Sequence, residues 1–585
     1  MMRRTAQHFL ALGAMAGLGL AAAQAAAQTA PAGAPQPEAV APAPLDRAAL
    51  AADAARAPLS PLQAALRGAV GALDDADFET VYAARDWAPI WLGDRPARVA
   101  AGLLALLDGA ESHALPPVAD AAGLRDALAA LEPLTGDARA AAEAALDVAL
   151  SRAAVDYGVA LNSGVLTPRR VDDEIHVTPE RPDRGPLLAE LAAAAEPRRV
   201  LEGMAPADPG YAALRARLAA FRALAGQGGW QEATPDARVL RLGDSGPQVA
   251  RLRARLAELG DAPVPAPVKV AAAAAESDAP PAPARFDAGL EEAVKRFQRR
   301  HGLNADGVAG RRTFAAMAEN AETRMQQIAV NLERMRWMNR DLGARRIIVN
   351  QADYMMRVYF DHEVVQEMRV VIGKARQHRT PEFSDEMTHM VVNPSWNVPR
   401  SIAEKEILPA LKADPSYLVN QNMTLIPKGD TPVPENPYYA DWSQYGQGNF
   451  PFRIRQAPGP GNALGRVKFM FPNNFAIYLH DTPSRHLFAR DARAFSHGCV
   501  RVARPIDLAH LLLSGQTDDP AGYFDRLEQR GEEVWVRLQD PLKVHLTYRT
   551  AWVDEDTGED QFRDDVYGRD GRVWAALKDA GLSLL

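Results

Sequence analysis

The apolar residues of this chain change period once, near Arg345, and that change limits the architectures open to it. From residue 45 to 230 they recur three and four apart in an Ala- and Leu-rich text. Leu103, Leu104 and Leu107 make one stripe, and Ala145, Leu146 and Leu150 another. After Arg345 they come in short β-rich runs, at 347–349, 355–359, 368–372, 390–392, 467–471, 476–479 and 533–537, with turn residues between. Helices first and strands later predict a multidomain α+β protein, and 585 residues exceed what one hydrophobic core sustains. The expected parts are a helical scaffold over 45–232, a small helical unit over 235–320 and a connecting helix over 323–343. A mostly β domain over 345–546 and a tail over 547–585 follow.

Composition excludes some roles. With 47% hydrophobic and 24% charged residues the chain is not a disordered one. A net charge of −8, from 66 basic and 74 acidic side chains, argues against coating nucleic acid. The acidic tail residues Asp554, Glu555, Asp556, Glu559, Asp560, Asp564 and Asp565 suggest a calcium loop, but Gly558 stands one place early for that spacing, so a solvated turn is expected. Met1 to Arg4 followed by an apolar run at 9–23 and small residues around Ala23, Ala25 and Ala27 reads as an export signal over 1–25. Arg3-Arg4 hints at the twin-arginine type without the fuller motif. An Ala/Pro tether covers 26–44. Export from the cytoplasm is therefore expected.

Export gives weight to the one cysteine, Cys499, which excludes any intrachain disulfide. Three of the twelve histidines lie near it, in IYLHDTPSRHLFARDARAFSHGCVRV, residues 477–502. His480 closes an expected strand, and Cys499 stands in Ser496-His497-Gly498-Cys499-Val500-Arg501. A thiol attacks as its thiolate, so it requires a base or a positive neighbourhood. Gly498 lets the backbone pass close to a substrate, where the Cys499 N–H can face an oxyanion. Metal binding by His480, Asp481, His486, His497 and Cys499 is the competing reading, but His480 and His486 lack the tight spacing usual at zinc. Nucleophilic catalysis with no metal and no cofactor is the reading favoured.

These residues resemble the L,D-transpeptidase catalytic domain of the YkuD type, whose signature is a histidine, a spacer and then Ser/Thr-His-Gly-Cys. Ile348-Val349-Asn350 with Tyr354, Gly373-Lys374 with Thr380-Pro381, residues 393–399, residues 458–465 and residues 473–477 match as well. Residues 243–317 resemble a three-helix peptidoglycan-binding domain through Leu242, Gly243, Gly246, Val249, Leu252, Phe297, Gln298, Gly302, Leu303, Asp306, Gly307 and Thr313, with an Ala/Pro insert at 261–284. The order of parts is similar to the large YcbB-like branch of periplasmic enzymes.

The resemblance implies Cys499 as nucleophile and His480 as base and later acid. Ser496, His497 and Gly498 would shape the oxyanion site, and Arg501, Tyr478 and Trp396 would meet substrate. The implied reaction releases D-alanine from a tetrapeptide stem and passes the acyl group to a second stem, giving a 3→3 cross-link. Peptidoglycan stem peptides are then donor and acceptor, and carbapenems acylate the same thiol. Residues 401–445 occupy the place of a lid. One departure is Asp481, where many members carry Gly or Ser: its side chain matters little if its carbonyl orients the histidine, and alters the charge of His480 if it points inward. A hydrolase of the same fold and a non-catalytic wall-binding scaffold stay open as alternatives.

Overall fold

The change of period at Arg345 is a change of layer. The computed structural model describes residues 58–263 and 284–585 apart from 428, 430, 431 and 435. The expected signal at 1–25, the tether at 26–44 and nearly all of the 261–284 insert lie outside the described residues.

Residues 61–226 are helical, centred on the 28-residue helix Gly136–Ser163. Leu103, Leu104, Leu107, Leu146 and Leu150 enter one core with Leu187, Leu188 and Leu201 from later helices. Ala145 faces solvent instead, and Ala144 and Asp147 take the buried positions beside it. An aspartate fits there because it is fully used. Its carboxylate accepts the N–H groups of Ile90 (2.9 Å), Trp91 (2.7 Å) and Leu92 (3.0 Å) and the Tyr82 hydroxyl (2.7 Å).

The small unit packs the helices Pro247–Glu258, Ala288–Arg300 and Arg311–Ala318 on a core of Val249, Leu252, Leu256, Leu290, Val294 and Phe297. Leu242, one of its motif residues, is exposed. The unit leans on the β domain and the tail: Asn304 N–H donates to Asp491 (3.0 Å), Arg312 pairs with Asp491 (2.9 Å), and Arg300 reaches the Asp560 carbonyl (3.2 Å).

The connecting helix, Ala321–Trp337, is buried on nearly every side, with Ile328, Leu332, Met335 and Trp337 in one cluster. Its Glu333, also buried, accepts N–H groups from Val165 (2.9 Å) and Leu166 (3.0 Å), so the helix is clamped to the scaffold.

The β domain begins with β1 (Arg346–Asn350), β2 (Met355–Phe360), β3 (Glu363–Gly373) and β4 (Phe383–Val392). Then come β5 (Trp396–Asn397), β6 (Met423–Pro427), β7 (Phe452–Gln456), β8 (Val467–Met470), β9 (Leu479–His480), β10 (Ala494–Ser496), β11 (Val500–Val502) and β12 (Val534–Thr547). Nine of these form the main sheet in the order β10-β3-β11-β9-β8-β4-β12-β1-β2, and β3 also pairs with β2, so the sheet closes on itself. Alternation sends Val349, Val370, Met390, Phe469, Leu479, Val500 and Val544 into its core. β5, β7 and β6 make a separate small sheet, and the segment from β5 to β7, residues 396–456, is an insert in the β domain with its own core.

Residues 547–585 carry a hairpin, β13 (Ala551–Val553) and β14 (Asp560–Phe562), and the helix Arg569–Asp579. The hairpin turn is organised by Asp554, which accepts from Thr557 N–H (3.0 Å), as expected of a solvated acidic turn. Asp565 differs: it accepts from Tyr548 (2.7 Å) and from the start of the last helix. Arg569 is wholly buried among Glu382 (3.0 Å), Glu174 (3.3 Å) and Asp172 (3.8 Å), tying tail, scaffold and β domain together.

Candidate active site

Strand pairing brings the cysteine and its histidine to one face. β9 and β11 run parallel, with Leu479 opposite Val500 and His480 opposite Arg501. Leu479 and Val500 point into the core. The residues on either side must therefore point out the other way. Tyr478 and His480 from one segment share that outer face with Cys499 and Arg501 from the other.

His480 is held by its own chain. Its Nδ1 lies 2.5 Å from the Asp481 carbonyl, and a carbonyl only accepts, so Nδ1 carries the proton and Nε2 keeps a free lone pair. Burial, aided by the Arg501 charge, pushes its pKa down to about 3, so the ring is neutral at pH 7. The Asp481 side chain turns elsewhere, accepting from Arg466 N–H (2.9 Å), Thr482 N–H (2.6 Å) and Arg485 (2.7 Å). The departure from the common motif thus leaves the histidine's orientation to the backbone.

Cys499 is half-buried, with Sγ 3.6 Å from the Ala476 carbonyl. Burial pushes the thiol up to about 11, opposed by the Tyr478 N–H and hydroxyl and by Arg501. Near neutral pH both the Cys499 thiol and the His480 imidazole are therefore uncharged. The Tyr478 ring meets His480 edge-on at 5.7 Å. Arg501 Nε is buried and makes no hydrogen bond with the described residues.

The turn before Cys499 is braced from several sides. Ser496 Oγ accepts from Gly498 N–H (3.1 Å) and donates to the Cys499 carbonyl (2.5 Å). Gly498 has φ +115°, and a Cβ there would stand 3.0 Å from Ile477. Thr380 donates to the Gly498 carbonyl (2.7 Å) and accepts from Gly373 N–H (3.0 Å). Gly373 is needed for closeness alone, because a Cβ would lie 1.9 Å from the His378 carbonyl. Tyr567 from the tail completes the brace, donating to the Gly373 carbonyl (2.8 Å) and accepting from Thr380 N–H (3.2 Å).

Of the three residues expected around the oxyanion, Ser496 and Gly498 therefore build the turn, and the Gly498 N–H is already taken. His497 turns to the insert, where its Nε2 bonds Glu406, and its ring lies 4.6 Å from that of His378. Trp396, expected at substrate, packs half-buried on the core of the insert from β5. His486 sits on the turn Arg485–Ala489, and among the described residues no group of three His, Cys, Asp or Glu side chains is arranged to hold a metal ion. Sequence reasoning missed Thr380 as a brace, Tyr567 and Glu406. Thr380 lies in a matched stretch, but nothing in the text links Tyr567 or Glu406 to a turn so far away in the chain.

Residues 344–527 match the family model of the L,D-transpeptidase catalytic domain, YkuD. Residues 344–527 are an L,D-transpeptidase catalytic domain. Residues 76–218 match a scaffold domain, and residues 245–317 match a "Putative peptidoglycan binding domain". A Haemophilus influenzae protein named "Putative L,D-transpeptidase" is 36% identical over 250 residues, 42% of this chain and 49% of that protein. The chain thus spans about half the length of that curated relative. Solved L,D-transpeptidases from Mycobacterium smegmatis and Xylanimonas cellulosilytica are each 13% identical. They cover 34% and 54% of this chain, and 58% and 100% of their own, with TM-scores of 0.14 and 0.16, too low to carry weight.

Proposed function

We propose that this chain forms 3→3 peptidoglycan cross-links in the periplasm by acyl transfer through Cys499. The observation that carries the reading is the pairing of β9 with β11, which sets Cys499, Arg501, Tyr478 and His480 on one face with His480 Nε2 unprotonated. The thiol attacks the carbonyl of the L,D peptide bond in a tetrapeptide stem while His480 Nε2 takes its proton. The tetrahedral intermediate collapses, the C–N bond breaks, and His480 returns the proton to the departing D-alanine amine. A side-chain amine of a second stem then attacks the thioester, forming an amide and releasing the thiol.

Arg501, on the face it shares with Cys499, is the cation for a stem carboxylate, and the Cys499 N–H is the donor for the oxyanion. The match at 245–317 supports peptidoglycan as the substrate polymer, and the signal-like text at 1–25 supports export. A carbapenem would acylate the same thiol. The test is incubation of the purified protein with tetrapeptide muropeptides and mass analysis of the products. A cross-linked dimer is expected. Tripeptide alone would make the chain a hydrolase, with water in place of the acceptor amine, and no change with no acylation would leave a wall-binding scaffold.

A further inference from the structure

The insert that runs from β5 to β7 packs on itself. Ile402, Ile407, Leu408, Leu411, Trp442 and Phe452 share its core, and its strands pair only with one another. A unit of this kind can shift against the main sheet without unmaking either core. What ties its helical part to the catalytic turn is one side chain, Glu406, whose Oε1 bonds His497 Nε2. Among the described residues no other hydrogen bond or ion pair joins residues 401–445 to the main sheet or to residues 476–502.

Local winding aims this contact. Ala403–Ile407 is a π turn, a departure from α geometry that recurs at functional sites. Glu404 faces back into the insert, bonded to Arg400 (2.6 Å) and to Gly448 N–H (3.2 Å), and Ile407 is buried in its core. Glu406 alone of the turn's acids projects outward. It meets His497 two residues before Cys499, on a ring already packed against His378. The turn that carries the thiol is therefore gripped from below by Thr380 and from above by a residue that belongs to the insert.

We propose that Glu406 is a positioning residue: seated on His497, it holds the Ser496-to-Cys499 turn in its reactive geometry, so that the site is complete only when the insert is closed on it. The inference rests on the acyl-transfer reading for what the geometry serves. The seating itself does not depend on that reading. A peptide stem entering the site would meet an open insert and a slack turn, and closure would bring both into order. Specificity for an extended peptide over a small electrophile then arises from the insert rather than from the thiol.

The test compares the full-length wild type with Glu406→Ala, Glu406→Gln, His497→Ala and the double variant Glu406→Ala/His497→Ala. Hydrogen exchange of amides 401–413 reads the seating with no substrate present. Both alanine variants should exchange there about tenfold faster, the double variant no faster than either, while β4 and β12 are unchanged. Turnover of a tetrapeptide stem reads the positioning. kcat should fall about tenfold in Glu406→Ala with KM changed less than about twofold, and Glu406→Gln, which keeps a hydrogen-bonding end, should recover most of the loss. If no stem is turned over by the wild type, the acyl-transfer reading fails, and alkylation of Cys499 by iodoacetamide replaces turnover as the readout. Unchanged exchange in Glu406→Ala, or losses that multiply in the double variant, would overturn the proposal.

Discussion

Two histidines stand within the signature around Cys499, and the fold holds them in opposite ways. His480 is buried and fixed by the carbonyl of the next residue. His497 is partly exposed and fixed by Glu406, from an insert with its own core. The first hold exists as soon as the main sheet is formed. The second exists only while the insert is seated. On the proposed reading the proton chemistry belongs to the rigid part, and the shape of the turn is shared with the insert.

The largest effect expected is total loss of acylation in Cys499→Ala with the melting temperature nearly unchanged, read by mass and calorimetry. The comparison itself is tested by the two histidines. His480→Ala should cost about 10²–10⁴ in the acylation rate, the range of a lost general base, whereas His497→Ala should cost about tenfold. The reverse order in stopped-flow acylation would mean the base had been given to the wrong ring.

Titration sharpens the same contrast. With His480 pushed down to about 3, its basic form is kept as pH falls and is lost only through that value, so acylation should stay level from pH 7 to near pH 4. The thiol, pushed up to about 11, should alkylate faster with every step of pH through 10. A midpoint near the ordinary histidine value in the acylation profile would contradict a buried, backbone-held base.

A smaller effect belongs to Thr380→Val. It leaves the Gly498 carbonyl without its donor and should cost about 1–3 kcal/mol of stability by chemical denaturation. Smallest in rate is Asp481→Asn. Its side chain points away from His480, so acylation should change less than about twofold even though the Arg485 pairing weakens.

The placement of His480 and Cys499 on one face was legible in the sequence because its signal is local. A histidine ending an apolar run and a Gly-Cys turn at the start of another become neighbours through ordinary parallel pairing of β9 with β11. Scaffold stripes were readable for the same reason, except at Ala145, where alanine's small apolar surface gives no direction and the fully bonded Asp147 took the inward place. Braces from afar were not readable. Tyr567 reaches Thr380 from the tail, and Glu406 reaches His497 across the whole insert, and neither contact leaves a period or a motif in the text. Trp396 shows the converse: a match in sequence placed it near substrate, and the fold gives it to the core of the insert.

The central claim is that Cys499 forms a thioester with a peptide stem while His480 carries the proton. Intact-mass analysis of the full chain quenched after mixing with a tetrapeptide stem, followed by peptide mapping, measures it directly. An adduct equal to the stem less its terminal D-alanine, confined to Cys499 and missing from His480→Ala on the same time scale, is the predicted result. Product formed with no adduct, or an adduct on another residue, would contradict it.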